Sequence, residues 1–201
     1  MNMISALFVE TDGCYFNLKN IDPWDIKRDA RKYNLNNKII AHPPCQLWGK
    51  FAKINFKRWG GEHNRPGNDG GCFNSALFNL RRCGGILEHP AFSYAWDEFS
   101  LNKPIDIGWN KLKNDEWVCE IWQSAYGHKC TKRTWLYYVG DKMPLDLNWK
   151  REKGVFQIGF YDQRGKDRNK NTVSGKEASA TPIKLRKDLI RLLNEHQISS
   201  Y

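Results

Sequence analysis

The stretch Ile39-Ile40-Ala41-His42-Pro43-Pro44-Cys45-Gln46 decides how this chain reads. Ile39, Ile40 and Ala41 make a short apolar run bounded by a turn signal, which predicts a strand over Lys38 to Ala41. The two prolines then end it, because proline has no N–H for a ladder and fixes its own φ. Cys45 is thereby held just past the carboxyl end of a strand, where open α/β sheets bind their ligands. A thiol in that place is positioned as a nucleophile; the competing reading is a small buried hydrophobe.

Working outward, Ile4 to Val9, Gly85 to Leu87 and Thr134 to Val139 read as further strands. Phe73, Ala76, Leu77 and Leu80 recur at helical spacing and put Arg81 and Arg82 at that helix's carboxyl end, where cations suit the dipole. Trp117, Ile121 and Ala125 suggest another helix. Thr181-Pro182 caps a last one, with Ile183, Leu185, Leu189, Ile190 and Leu193 on its apolar face. Alternating strands and helices predict an α/β sheet with helices packed on it. The 201 residues suit one domain, 1–201, and carry no internal repeat.

The formal net charge is +10, from 32 Lys and Arg against 22 Asp and Glu, and 13% of residues are aromatic. That balance favours a polyanionic partner, DNA or a nucleotide. No run reaches membrane-spanning length and the amino terminus lacks a basic signal-peptide start, so no membrane partner is expected and the expected location is cytoplasmic. Six scattered cysteines form no Cys-x-x-Cys pair, which speaks against a zinc knuckle or a secreted disulfide framework.

Two polar, Gly-bearing stretches read as mobile loops, Lys57 to Gly71 and Tyr161 to Lys176. The second carries Arg164, Lys166, Arg168, Lys170 and Lys176, suited equally to phosphate contacts and to a solvated surface. Gly84-Gly85-Ile86-Leu87-Glu88-His89-Pro90 ends a strand on a glutamate braced by proline. If this strand neighbours the Cys45 strand, a thiol and a carboxyl group face one ligand, a workable pair for modifying a pyrimidine ring.

Pro43-Pro44-Cys45-Gln46 resembles the nucleophile motif of the DNA cytosine-5 methyltransferases, and Leu87-Glu88-His89-Pro90 is similar to that family's Glu-Asn-Val or Glu-Asn-Pro motif. The run from Gln123 to Gly140 resembles its later Tyr-Gly motif, in which basic residues precede an apolar strand. The three lie in the family's order over Ile39 to Gly140, a pattern shared with small bacteriophage proteins. The resemblance implies a single three-layer, Rossmann-like, methyltransferase-type sheet. It also implies that Cys45 adds to C6 of a cytosine ring and that Glu88 contacts N3 and the amino group. Lys132 and Arg133 match the basic catalytic positions, while Pro44, Gln46, His89 and Trp48 fall at substrate contacts; Trp48, Phe51 or Trp59 is expected to stack on the base or pack in the core. A target base in a duplex would have to be flipped out.

The chain also departs from the family. One glycine follows the first strand, in Glu10-Thr11-Asp12-Gly13-Cys14, where the family has a Gly-rich turn for S-adenosylmethionine. Glu10, Asp12 and Asp25 are the candidate cofactor contacts, although Asp25 reads better as a helix cap before Ile26 to Arg31. The donor is S-adenosylmethionine, another one-carbon donor, or none. Leu47-Trp48-Gly49 replaces Gly-Phe-Ser, His89 replaces Asn, and Lys132-Arg133 replaces Arg-x-Arg. No large target recognition domain fits between Gly140 and Thr181. The resulting expectation is a minimal pyrimidine C5-modifying enzyme; the alternatives are a non-catalytic nucleic-acid or nucleotide binder and a metal-dependent nuclease using His42, His89 and His128. Asp69, Asp97 and Asp106 make no ligand-spaced set with those histidines, so no metal is expected.

Overall fold

A computed structural model describes residues 3–157 and 172–195. Its strands are β1 (Ile4–Leu7), β2 (Ile21–Trp24), β3 (Lys38–Ala41), β4 (Gly85–Pro90), β5 (Asn110–Lys111), β6 (Glu116–Trp122) and β7 (Arg133–Val139). The helices are α1 (Lys50–Trp59), α2 (Cys72–Cys83), α3 (Ala95–Glu98), α4 (Gly175–Ser179) and α5 (Ile183–Glu195). One mixed seven-stranded sheet has the order β2-β1-β3-β4-β7-β6-β5. The first four are mutually parallel; β7 runs antiparallel to β4 and to β6, and β6 antiparallel to β5.

The central strands are buried on both faces, which is why β3 reads as a continuous apolar run. On one face Leu7, Ile39, Ala41 and Leu87 meet Phe73, Ala76, Leu77 and Leu80 of α2. On the other Ile4, Ala6, Ile40, Ile86, Leu136 and Tyr138 meet Leu185, Leu189, Leu192 and Leu193 of α5. Gly85 holds φ +134°, and a Cβ there would collide with the Ile39 backbone, so a glycine is required where β4 first pairs with β3.

Three expected elements differ. Trp117, Ile121 and Ala125 are not on one helix: Glu116–Trp122 is strand β6, and a short 3-10 turn over Gln123–Tyr126 follows. Ile26 to Arg31 forms turns with a 3-10 segment at Ala30–Lys32 in place of a helix. The supposed loop Lys57 to Gly71 begins inside α1, and its far end is fastened by Asp69. That carboxylate accepts from Gly71, Cys72 and Phe73 N–H and from the Trp48 indole. The expected contacts Arg164, Lys166, Arg168 and Lys170 lie outside the described residues. Among the described residues no helix is long and apolar enough to cross a membrane.

Side chains alternate along β4, and the alternation separates two residues expected at one site. Glu88 lies opposite Leu136, on the α5 face, whereas His89 lies opposite Trp135, on the α2 face. His89 is 0% exposed, edge-on to Phe73 at 5.0 Å and stacked with Trp96 at 6.1 Å. It is therefore a core residue and not a substrate contact. Both of its ring nitrogens are buried without a hydrogen bond.

Burial, opposed by the charge of Glu88 and the Pro44 carbonyl, pushes the His89 pKa down to about 4. The folded value lies below the unfolded one of about 6.5, so its contribution is full above pH ~6.5 and is lost as pH falls through 4. His89→Phe is expected to remove on the order of 3 kcal/mol of the stability change between those limits. Urea titrations at pH 7 and pH 4 check this; equal pH dependence in variant and wild type contradicts it.

Candidate functional site

The chain passes from β1 outward to β2, then returns across β1 to place β3 and β4 on its other side. The connections leaving β1 and β3 therefore diverge, and it is at such a switch point, beyond the carboxyl ends of the strands, that open α/β sheets bind their ligands. Phe8 to Cys14 follows β1, His42 to Gly49 follows β3, and Glu88 sits near the end of β4.

Glu88 is the centre of this region. Its Oε2 is 2.9 Å from His42 Nδ1, and its Oε1 accepts from Gln123 Nε2 at 2.7 Å. Burial would raise its pKa, but the Lys132 charge and the His42 hydrogen bond outweigh this and hold it at about 2. An ionised carboxylate only accepts, so His42 Nδ1 carries a proton. His42 Nε2 shares a hydrogen bond with the Tyr15 hydroxyl at 2.9 Å, which links the β1 connection to the β3 turn. The same logic orients Gln123, whose Nε2 also reaches Thr134 Oγ1 at 2.9 Å. Two of the roughly four lone-pair sites on Glu88 remain for a ligand.

Cys45 lies in the field of both Glu88 and Lys132. Burial raises its thiol pKa, Glu88 raises it further, and Lys132 lowers it. The turn is tight, with Trp48 N–H donating to Cys45 C=O at 3.0 Å. Lys132 is steadied from outside the sheet: its Nζ donates to the carbonyls of Ser179 at 3.1 Å and Ala180 at 3.2 Å. The α4 segment supplying them has a Ser174–Glu177 capping box. It is docked by Lys129 Nζ on Glu177 Oε1 at 2.7 Å and by His128 Nε2 on the Glu177 carbonyl at 3.0 Å.

Cys45, Glu88 and Lys132 are thus brought into one electrostatic neighbourhood. Arg133 is not part of it. Pleating turns it to the opposite face from Thr134, where it pairs with Glu120 at 2.8 and 3.0 Å and covers the Phe92 ring at 4.4 Å. Trp48 is 3% exposed, packed among Phe73, Tyr94 and Phe99, so it cannot stack on a base and is a core residue. Pro44 and Gln46 are exposed on the turn beside Cys45. His42 and Gln123, which hold Glu88, were not singled out for that role by the sequence pattern; a histidine directly before the prolines was the one visible sign of the first.

The candidate cofactor residues do not fit a nucleoside donor. Asp25 follows β2, as a ribose ligand would, yet its Oδ1 caps Lys27 and Arg28 N–H and its Oδ2 accepts from Thr11 at 2.6 Å. Glu10 pairs with Lys176 at 3.1 Å, and Asp12 is exposed at φ +56°. Gly13 is folded onto Glu10, where a Cβ would lie 2.7 Å from the carbonyl oxygen, so this glycine closes a turn and leaves no open cradle. Among the described residues no three His, Cys, Asp or Glu side chains converge as metal ligands. No protein-family model, curated protein or solved structure matches this chain.

Because Glu88 raises the Cys45 thiol and Lys132 lowers it, alkylation by iodoacetamide should report the balance. With the Cys45 peptide followed by mass spectrometry, Glu88→Gln is expected to speed alkylation at pH 7 about three- to tenfold, and Lys132→Met to slow it by a similar factor. Unchanged rates in both variants contradict the assignment.

Proposed function

We propose that the protein is a pyrimidine C5-modifying enzyme of the cytosine-5 methyltransferase kind, with Cys45 as nucleophile. The observation that carries the reading is the placement of Cys45, on the turn after β3, beside the buried Glu88 near the end of the adjacent parallel strand β4, with the Lys132 charge, just before antiparallel β7, acting on both. Support also comes from the placement of that group at a topological switch point, and from the family-like order of the three motifs that supply it.

The charges suggest how substrate gates the thiol. At rest Cys45 is protonated, raised by burial and by Glu88. A cytosine whose amino group donates to Glu88 offsets that negative charge; the Cys45 proton passes to N3, which then also donates to Glu88, while Lys132 remains to favour the thiolate. The thiolate adds to C6 and the electron pair moves to C5. C5 takes up a one-carbon electrophile or a proton; loss of the C5 hydrogen then expels the thiolate and restores the ring. His42 and Gln123 keep Glu88 oriented as an acceptor throughout. No step is assigned to S-adenosylmethionine, since Glu10 and Asp25 are already engaged.

Those engaged carboxylates favour a second reading, a binder of nucleotide or nucleic acid that uses the same site without chemistry. Mass spectrometry of nucleosides from the DNA of expressing cells separates the two. The enzyme reading predicts a modified pyrimidine that disappears in Cys45→Ala, a loss of at least about a thousandfold, as for removal of a covalent nucleophile. An equal amount of product with Cys45→Ala, or no modified base with either protein, contradicts it.

A further inference from the structure

Helix α1 has a composition that burial does not explain. Of its ten residues Ala52 is buried, while Phe51 is 54% exposed, Ile54 57%, Phe56 38% and Trp59 65%. Apolar side chains concentrated in one exposed helix are unfavourable in water and mark an interaction surface. The same helix carries exposed Lys53, Lys57 and Arg58, and its sequence contains no acidic residue. Phe51, Ile54 and Arg58 stand at i, i+3 and i+7 and so share one stripe. Arg58 lies 5.2 Å from the Trp59 ring centroid and Lys53 Nζ 5.5 Å from that of Tyr94, so cations and π faces are interleaved. The nearest acidic neighbour in sequence, Glu62, is paired with Arg65 at 3.2 Å.

We propose that the solvent face of α1 is a platform for a single-stranded polynucleotide, on which unstacked bases lie against Phe51 and Trp59 while Lys57 and Arg58 meet phosphates. Charge complementarity selects a polyanion, and the exposed aromatic rings select one whose base faces are uncovered. In a duplex those faces are already stacked on each other. The helix begins at Lys50, directly after the Gly49 that ends the Cys45 turn, so a strand lying along it delivers a neighbouring base to the thiol without base flipping. This names the substrate class of the proposed Cys45 chemistry and rests on that reading only for the role of the bound strand, not for its binding.

The test is fluorescence anisotropy of the full chain with a labelled oligodeoxycytidylate, and with the same strand paired to its complement, over a range of salt. The single strand is expected to bind at least tenfold more tightly. Phe51→Ser with Trp59→Ser should weaken it by about tenfold or more, as for loss of base stacking, with the salt slope unchanged. Lys57→Gln with Arg58→Gln should lower the slope by about 1.4, for two phosphates at about 0.7 each. All four positions are exposed apart from partial packing of the rings, and circular dichroism checks that the variants fold.

Wild-type affinity in both double variants overturns the platform, as does duplex binding as tight as single-strand binding. A wild-type dimer in sedimentation that dissociates in the aromatic variant overturns it too, because a second copy is then the occupant. Cysteine chemistry is read separately, as C5 hydrogen exchange on deoxycytidine monophosphate. Exchange that survives normal strand binding by the α1 variants removes the platform alone; α1-dependent strand binding with no exchange removes the Cys45 reading alone.

Discussion

A carboxylate taken out of water has to be met by donors and positive charge or it protonates, and Glu88 is met from every strand end around it. His42 comes from the end of β3, Gln123 from the end of β6, and Thr134 of β7 supports Gln123. Lys132, just before β7, supplies the charge. Its ammonium is itself held by carbonyls of the α4 segment. The site is therefore a consequence of sheet order: only with β4 between β3 and β7 do these donors converge on one residue. Breaking a single partner leaves a buried charge undercompensated, which makes the cluster the most demanding part of the fold.

The other face of β4 solves a different problem with the next residue. His89 is kept neutral in an aromatic box of Phe73 and Trp96. Trp48, tied to Asp69, packs into the same box from the far side of the Cys45 turn, and Tyr94 N–H donates to the Trp48 carbonyl at 3.1 Å. The turn is thus clamped from the α2 face while its chemistry is tuned from the α5 face. Such division holds the Cys45 thiol in place with fasteners that are separate from Glu88 and its partners.

Much of the fold can be read from sequence where burial follows a simple period. The β3 run and the α2 and α5 stripes are of that kind, and their elements occur where expected. The β6 strand misleads because Trp117, Ile121 and Ala125 fit a helical spacing, while burial of Trp117, Val118 and Cys119 in succession hides the alternation of a strand. Edge strand β2 carries Pro23, which an edge tolerates but a sequence reading discounts. Helix α1 has no core-facing stripe to announce it, since its large apolar residues are exposed and only Ala52 is buried. In the site, Cys45, Glu88 and Lys132 are legible from motif resemblance. The Glu88 partners are not, because His42 and Gln123 lie 46 and 35 residues away and meet it only through strand order. Arg133 and His89 fail for one shared reason, since each adjoins a site residue along a strand and therefore points to the other face.

The central claim is that the Cys45 thiolate adds to C6 of a pyrimidine, and it is testable without knowing the group transferred. Addition makes C5 basic, so a reversible cycle exchanges the C5 hydrogen with solvent. A deoxycytidine oligonucleotide incubated with the protein in deuterium oxide, with its H5 proton followed by nuclear magnetic resonance, is the direct measurement. The account predicts protein-dependent loss of the H5 signal that Cys45→Ala abolishes. Retention of H5 at the buffer rate, or equal exchange with Cys45→Ala, would contradict it.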